Sequence, residues 1–343
     1  MIRARLVDVA ARAGVAPNTA STILNNRPNS WASQETKDRV RKAAEELGYI
    51  PSRAARGIRL GRFNSVGLVL PDLHNPYYTA MADMLDLALK NEGFDLVIEH
   101  SRLTAQGERR SNAAMLQRQI DGAVFFIGDV EAQREMLENL MKQRFPTVAM
   151  AARPARPLPV DSIVIDFTQG LREAVDFLYE LKHRRMAFLC ALAPDQPDGN
   201  RPGLFTQLLS EHGIPAADMI FARCGHGIGD ARQAFTDLMS SVRPRPTAVI
   251  AMNDLSAIGA MRAAIDLGLS VPGDLSVIGV DNIPLGEHLP IALTTIAQPI
   301  GDMATRVASL VLDRIRRPRA GRATETVFPT ELIVRESTGP ARA

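Results

Sequence analysis

Hydrophobic positions recur at helical spacing through the first fifty residues, then give way to short apolar runs separated by amphipathic stretches. Leu6, Val9, Ala10 and Ala13 lie three or four apart, and Gly14 interrupts them. Past the glycine, Val15 reads as buried. Pro17 suits the first turn of a new helix, where a missing N–H leaves no bond unmade, and Ala20, Ile23 and Leu24 resume the inward stripe. Ser33 reads as the cap of a third helix, with Val40, Ala43, Ala44 and Leu47 as its buried stripe and Gly48 as its stop. From Val66 the texture changes. "SVGLVLP", "DLVIEH", "DGAVFFIG", "TVAMA", "DSIVID", "RMAFLCA", "TAVIAMND" and "LSVIGVDN" are short strand-like runs. A helix after the first of them places Tyr77, Met81, Met84, Leu85 and Ala88 on one face. Strand–helix alternation predicts parallel sheets covered on both faces, and the number of runs fits two such lobes better than one.

The expected fold is therefore a small all-α head with a helix-turn-helix pattern, followed by an α/β body of two doubly wound parallel-sheet lobes. Two short helices joined at a glycine place the second in a DNA major groove. Its outward residues, Asn18, Thr19, Ser21, Thr22 and Asn25 with Pro17 at the entry, are small and uncharged. Such side chains approach base edges and phosphates closely and hydrogen-bond to both.

Charge sharpens this picture. Residues 1–62 carry 12 Lys and Arg against 5 Asp and Glu, whereas the remainder carries 28 against 33. A basic head on a mildly acidic body suits a polyanionic partner; the alternative is a solvated basic tail. Arg53, Arg56, Arg59 and Arg62 then recur every third residue around Ile58. This is either a charged linker or a short hinge helix that sits on DNA and pushes an apolar side chain into the minor groove. Gly57 lies inside that segment, where Gly is less favourable than Ala by about 1 kcal/mol in a helix. Gly57→Ala is accordingly expected to tighten DNA binding, unless the glycine is needed for close backbone approach.

In open parallel sheets, ligands sit beyond the carboxyl ends of the strands. The residues found there are Tyr77 and Tyr78, Arg201, Asn253, Asp281 and Gln298. A carboxylate, amides and a guanidinium with aromatic walls suit a polyhydroxyl ligand. Each also has a plainer reading: Asn253 and Asp281 as helix or turn caps, Arg201 as a surface charge, and the tyrosines as core.

Other chemistry is not supported. The six histidines include no pair three to five apart, so no compact metal pair arises. "GHGIGD" lacks dinucleotide-loop spacing, and no nucleophile elbow or phosphate loop occurs. No catalytic residue, metal or cofactor is expected. Two cysteines, Cys190 and Cys224, make no disulfide framework, and no apolar run approaches the roughly 20 residues of a membrane span. With no secretory signal at the N-terminus, the expected location is the cytoplasm.

By this point "LVDVAARAGVAPNTASTILNN", "ETKDRVRKAAEELGYIPSRAAR" and "SVGLVLPDLHNPYY" together resemble the lactose-repressor (LacI/GalR) family of bacterial transcription regulators, along essentially the whole chain. The resemblance implies a homodimeric repressor of double-stranded operator DNA, with a sugar-like effector and a body similar to periplasmic sugar-binding proteins. It implies a head at 1–50, a hinge at 51–63, a first lobe from 64–165 and 293–322, and a second from 166–292 and 323–338. The three crossovers would fall near 162–166, 288–293 and 322–325. It also implies that Arg53, Arg56 and Ile58 contact DNA, and that the six strand-end residues bind the effector. The sequence departs from the family at Ala16, Ala20, Thr22, Gly57, Ile58, Ala152 and Leu204. Two alternatives stay open: a corepressor with a nucleoside or purine ligand, and an α/β enzyme with an accessory DNA-binding head.

Overall fold

Three helices among the described residues of the head close on one another because each carries a short apolar face. They are α1 (Leu6–Ala13), α2 (Pro17–Leu24) and α3 (Gln34–Glu46). The computed structural model describes residues 4–25, 31–50, 57, 61–102, 104–152, 154, 156–191, 201–318 and 321–342. Arg53, Arg56 and Ile58 lie outside these described residues. The chain forms two units, Met1–Phe63 and Asn64–Ala343.

In the head, Val9, Ala10, Ala13, Ala20, Ile23, Val40, Ala43 and Ala44 make the core, with Leu6, Val15, Leu24 and Tyr49 packed against it. Gly14 adopts φ 65°, and its N–H bonds back to the α1 carbonyls of Ala10 and Ala11. That left-handed cap turns the chain from α1 into α2. Pro17 is the first residue of α2, and Ala16 offers no side-chain cap. Ser33 caps α3, accepting from the Thr36 N–H at 3.3 Å. Leu47 is 37% exposed rather than part of the α3 stripe. The helix ends at Gly48 (φ 60°), where the turn brings Tyr49 onto the core in its place.

In the body the strands are β1 (Ser65–Leu70), β2 (Asp95–His100), β3 (Gly122–Phe126), β4 (Thr147–Ala152), β5 (Asp161–Asp166), β6 (Met186–Cys190), β7 (Met219–Arg223), β8 (Ala248–Ala251), β9 (Ser276–Asp281), β10 (Thr294–Ala297), β11 (Glu325–Pro329) and β12 (Glu331–Ile333). The helices are α4 (Pro76–Asn91), α5 (Ala105–Leu116), α6 (Val130–Lys142), α7 (Thr168–Glu180), α8 (Arg201–Glu211), α9 (Ile228–Ser241), α10 (Asp254–Asp266), α11 (Pro284–Glu287) and α12 (Ile300–Arg316). They build two six-stranded sheets, ordered β11-β5-β4-β3-β1-β2 and β12-β10-β9-β8-β6-β7. Pairing is parallel except for β10 with β12.

The inner strands of both sheets are buried on both faces, which explains why they read as continuous apolar runs rather than alternating ones. In the first, Leu68, Val124 and Val148 face α4 and α12, while Val69, Phe125 and Ala149 face α5 and α6. In the second, Leu189, Val249 and Val277 face α9 and α10, while Phe188, Ile250 and Ile278 face α7 and α8. On α4 the buried stripe is Tyr77, Met81, Ala82, Leu85 and Leu89. Met84, expected on that stripe, is 42% exposed, and Ala88 is half-buried.

Two lobe boundaries differ from expectation. Thr294–Ala297 pairs in parallel with Ile278–Asp281, so β10 belongs to the second sheet and the chain crosses back only at Gln298-Pro299. Glu325–Pro329 pairs with Ser162–Asp166 in the first sheet, so the last crossing is at Thr330. Pairing of β10 runs through Ala297 and that of β11 through Pro329, and a change in local texture does not mark either point.

Candidate functional site

On the head, α2 turns one face away from the core. Pro17 and Asn18 are exposed, and Thr19, Thr22 and Asn25 are half-buried. The Thr22 hydroxyl donates to the Asn18 carbonyl at 2.9 Å. Ser21 does not belong with this set: it is 5% exposed, and the Asn25 amide donates to its carbonyl at 2.7 Å. Ser21 directly follows Ala20 and sits at the border of the buried stripe, so the head's own packing covers it. Pro17, Asn18, Thr19 and Thr22 remain reachable from outside.

In the body, residues far apart in sequence meet at strand ends. Asn75 caps α4, accepting from the Tyr77 N–H at 3.0 Å, and its amide donates to Asp281 Oδ2 at 3.2 Å. Gln298, on the crossover after β10, donates to Asp281 Oδ1 at 2.7 Å and accepts from the Tyr77 hydroxyl at 2.8 Å. Asp281 ends β9 and is buried. The chain Tyr77–Gln298–Asp281–Asn75 thus links α4, which covers the first sheet, to the second sheet. Arg201 opens α8, donates to the Met252 carbonyl, and places its guanidinium 4.7 Å from the centre of the Phe167 ring. Tyr78 packs edge-on against Tyr77 and Phe126, with ring centres 5.1 Å and 5.3 Å away.

Burial dominates the electrostatics. It pushes the Asp281 carboxyl up to about 8, helped by the like charge of Asp254 and opposed by Asn75, Arg201 and Gln298. It also lowers the Arg201 pKa, which Asp281 and the Tyr78 hydroxyl act to restore. Both tyrosine hydroxyls are pushed up by burial and by Asp281, and stay neutral donors. Such a cluster can both donate and accept hydrogen bonds.

Asn253 takes the capping role. Its Oδ1 accepts from the Ser256 N–H at 2.7 Å, and its amide donates to the His226 carbonyl at 3.2 Å. Tyr77, Tyr78, Arg201, Asp281 and Gln298 are brought together. Asn75, Phe126 and Phe167 complete the cluster and were not singled out from sequence. The same strand-end rule reaches them, since they stand just after or at the ends of β1, β3 and β5. Cys190 and Cys224 are both buried.

A helix-turn-helix head joined to a body of two parallel-dominated sheets, with polar groups converging at the strand ends, defines a DNA-binding transcription regulator with a periplasmic-binding-protein-like body. Comparisons with known proteins agree. The profile of the family described as bacterial regulatory proteins, lacI family, matches residues 5–52, and that of the periplasmic binding protein-like domain matches residues 175–338. The HTH-type transcriptional regulator DegA of Bacillus subtilis (strain 168) is 31% identical over 341 residues, covering 99% of this chain and 99% of its own. A LacI family transcriptional regulator from Enterococcus faecium, solved with bound ribose, is 27% identical with a TM-score of 0.66, covering 81% of this chain and 100% of its own. The lac repressor dimer bound to operator and the anti-inducer ONPF shares the fold, at TM-score 0.77 and 21% identity over 98% of this chain and 100% of its own. The chain belongs to the lacI family of bacterial regulatory proteins.

Proposed function

We propose that this regulator is a repressor that binds a roughly palindromic operator as a homodimer and is controlled by a small polyhydroxyl effector, a sugar or a nucleoside, held at Asp281. The observation that carries the effector reading is the Asp281 cluster. A buried carboxyl group held by two side-chain amides keeps hydrogen-bonding capacity for ligand hydroxyls. Arg201 adds a fixed fork of donors, and Tyr78, Phe126 and Phe167 supply flat walls for the apolar face of a ring. The ribose bound by the Enterococcus faecium relative supports a ligand of this class.

On the head, Pro17, Asn18, Thr19 and Thr22 face base edges, and Asn25, Arg53, Arg56 and Ile58 extend the contact toward the flanking backbone and minor groove. The dimer reading is supported by Met84 and Leu87, three residues apart on α4 and 42% and 63% exposed, with Ile98 exposed on the edge strand β2. It is also supported by the lac repressor, whose fold the chain shares and which forms a dimer on operator. Effector control needs only a difference in affinity between two states, typically about 1–3 kcal/mol.

The test is a thermal-shift screen of ribose, hexoses, nucleosides and purine bases against wild type and Asp281→Ala. A binding selection from random-sequence DNA would supply the operator. A hit that stabilises wild type, leaves the Ala variant unmoved and changes operator affinity supports the reading. An equal shift in both proteins refutes the placement of the effector at Asp281.

A further inference from the structure

Asp281 and the residue after it both have positive φ, 113° and 56°, in the region that side-chain-bearing residues rarely occupy. The turn is held from beneath. The Asn282 N–H donates to Thr295 Oγ1 at 3.3 Å, and the Ile283 N–H donates to Asp254 Oδ2 at 2.8 Å. The Thr295 hydroxyl in turn donates to Asp254 Oδ1 at 2.6 Å. Arg335 steadies the far side, donating to Asn282 Oδ1 at 2.7 Å and to the Leu293 carbonyl at 2.8 Å. Asp254 is the first residue of α10 and is fully buried, yet it does not cap that helix; Asn253 does. Gly279 on β9 clears the space, since a Cβ there would overlap Asp254 Oδ1.

We propose that Asp254 is a positioning residue of the effector cleft: with Thr295 it holds the left-handed Asp281–Asn282 turn, and so delivers the Asp281 carboxylate to Asn75 and Gln298. The inference rests on the reading of Asp281 as the effector's carboxylate. Asp254 acts through the turn and does not itself meet the ligand. It also acts through its charge. The groups facing Asp281 are Asn75, Tyr77 and Tyr78 from α4, Arg201 from α8, Asp254 from α10, and Gln298. After burial, Asp254 is the largest influence raising the Asp281 pKa.

The test needs no ligand, so it stands or falls apart from the effector reading. The Asp281 carboxyl is titrated by carbon NMR in the full chain, and amide exchange is followed at Asn282 and Ile283. In Asp254→Asn the amide oxygen can accept the Ile283 N–H while its NH2 meets Thr295 Oγ1, so the turn survives and the charge is lost. The expected result is an Asp281 midpoint lower by about one pH unit or more, with both amides still protected. Thr295→Val removes the acceptor for Asn282, and exchange there should accelerate by about tenfold or more; Thr295→Ser should restore protection. An unmoved Asp281 midpoint in Asp254→Asn, or unchanged protection in Thr295→Val, overturns the proposal. Should Asp254→Asn fail to fold, the Thr295 pair decides alone.

Discussion

Replacing Asp281 by Asn should make the protein more stable, and increasingly so as pH rises. Asp281 carries a pKa of about 8 in the fold, against 3.8 for an ordinary aspartate. The folded chain therefore keeps a proton that the unfolded chain has released. The stability this group contributes is full below the unfolded value and is lost as pH rises through about 8. Each pH unit in that window removes about 1.4 kcal/mol, so roughly 4 kcal/mol goes between pH 5 and pH 8, as an order of magnitude. An Asn at this position does not titrate. It retains the hydrogen bonds if the Gln298 amide turns so that its oxygen accepts, with the Tyr77 hydroxyl then accepting from the nitrogen. The measurement is urea unfolding of both proteins at pH 5, 6, 7 and 8, with the difference in free energy plotted against pH. The expected difference climbs in favour of Asp281→Asn across the range while effector binding is lost. Site chemistry would then oppose fold stability, as expected where a buried ionisable group is retained for binding. A difference independent of pH refutes the argument, since it would mean that Asp281 titrates alike in folded and unfolded chains.

Three further outcomes follow. His183 is buried, with Nε2 donating to the Gly339 carbonyl at 2.9 Å and Nδ1 accepting from the Thr247 hydroxyl at 2.8 Å; burial lowers its pKa, so its contribution is full at neutral pH and is lost as pH falls below 6.5. Thermal unfolding at pH 7.5 and 5.5 should show a smaller acid-induced loss in His183→Gln than in wild type. In the head, Asn18→Ala should weaken operator binding by about 1–3 kcal/mol with stability unchanged, whereas Ser21→Ala should alter head stability and leave base preference intact; titrations of selected and mismatched DNA separate the two. At Gly57 an added methyl would overlap the Phe63 ring, so Gly57→Ala is now expected to weaken rather than tighten operator binding, with Phe63→Ala restoring it, as read by operator titration of the single and double variants.

Local rules made much of this protein legible before its tertiary structure was known. A glycine at the α1–α2 turn, Pro17 opening α2 and Ser33 capping α3 are each specified by a few neighbouring backbone groups, and they stand where the sequence places them. The strand-end rule selected Tyr77, Tyr78, Arg201, Asp281 and Gln298 without any contact being known, because a parallel sheet brings the ends of distant strands to one edge. Tertiary structure decided matters that depend on what lies alongside. Met84 lies at the border of α4's buried face, and its exposure depends on what packs against that helix. Ser21 has the chemistry of a DNA contact, yet lies under the head's own packing. β10 and β11 trade sheets relative to the expected lobes because strand order is set by pairing partners distant in sequence. The support of Asp281 by Asp254 and Thr295 was equally hidden, since Asp254 reads as the ordinary first residue of a helix. Its role exists only because Gly279 leaves room for it and the neighbouring strand places a hydroxyl within 2.6 Å.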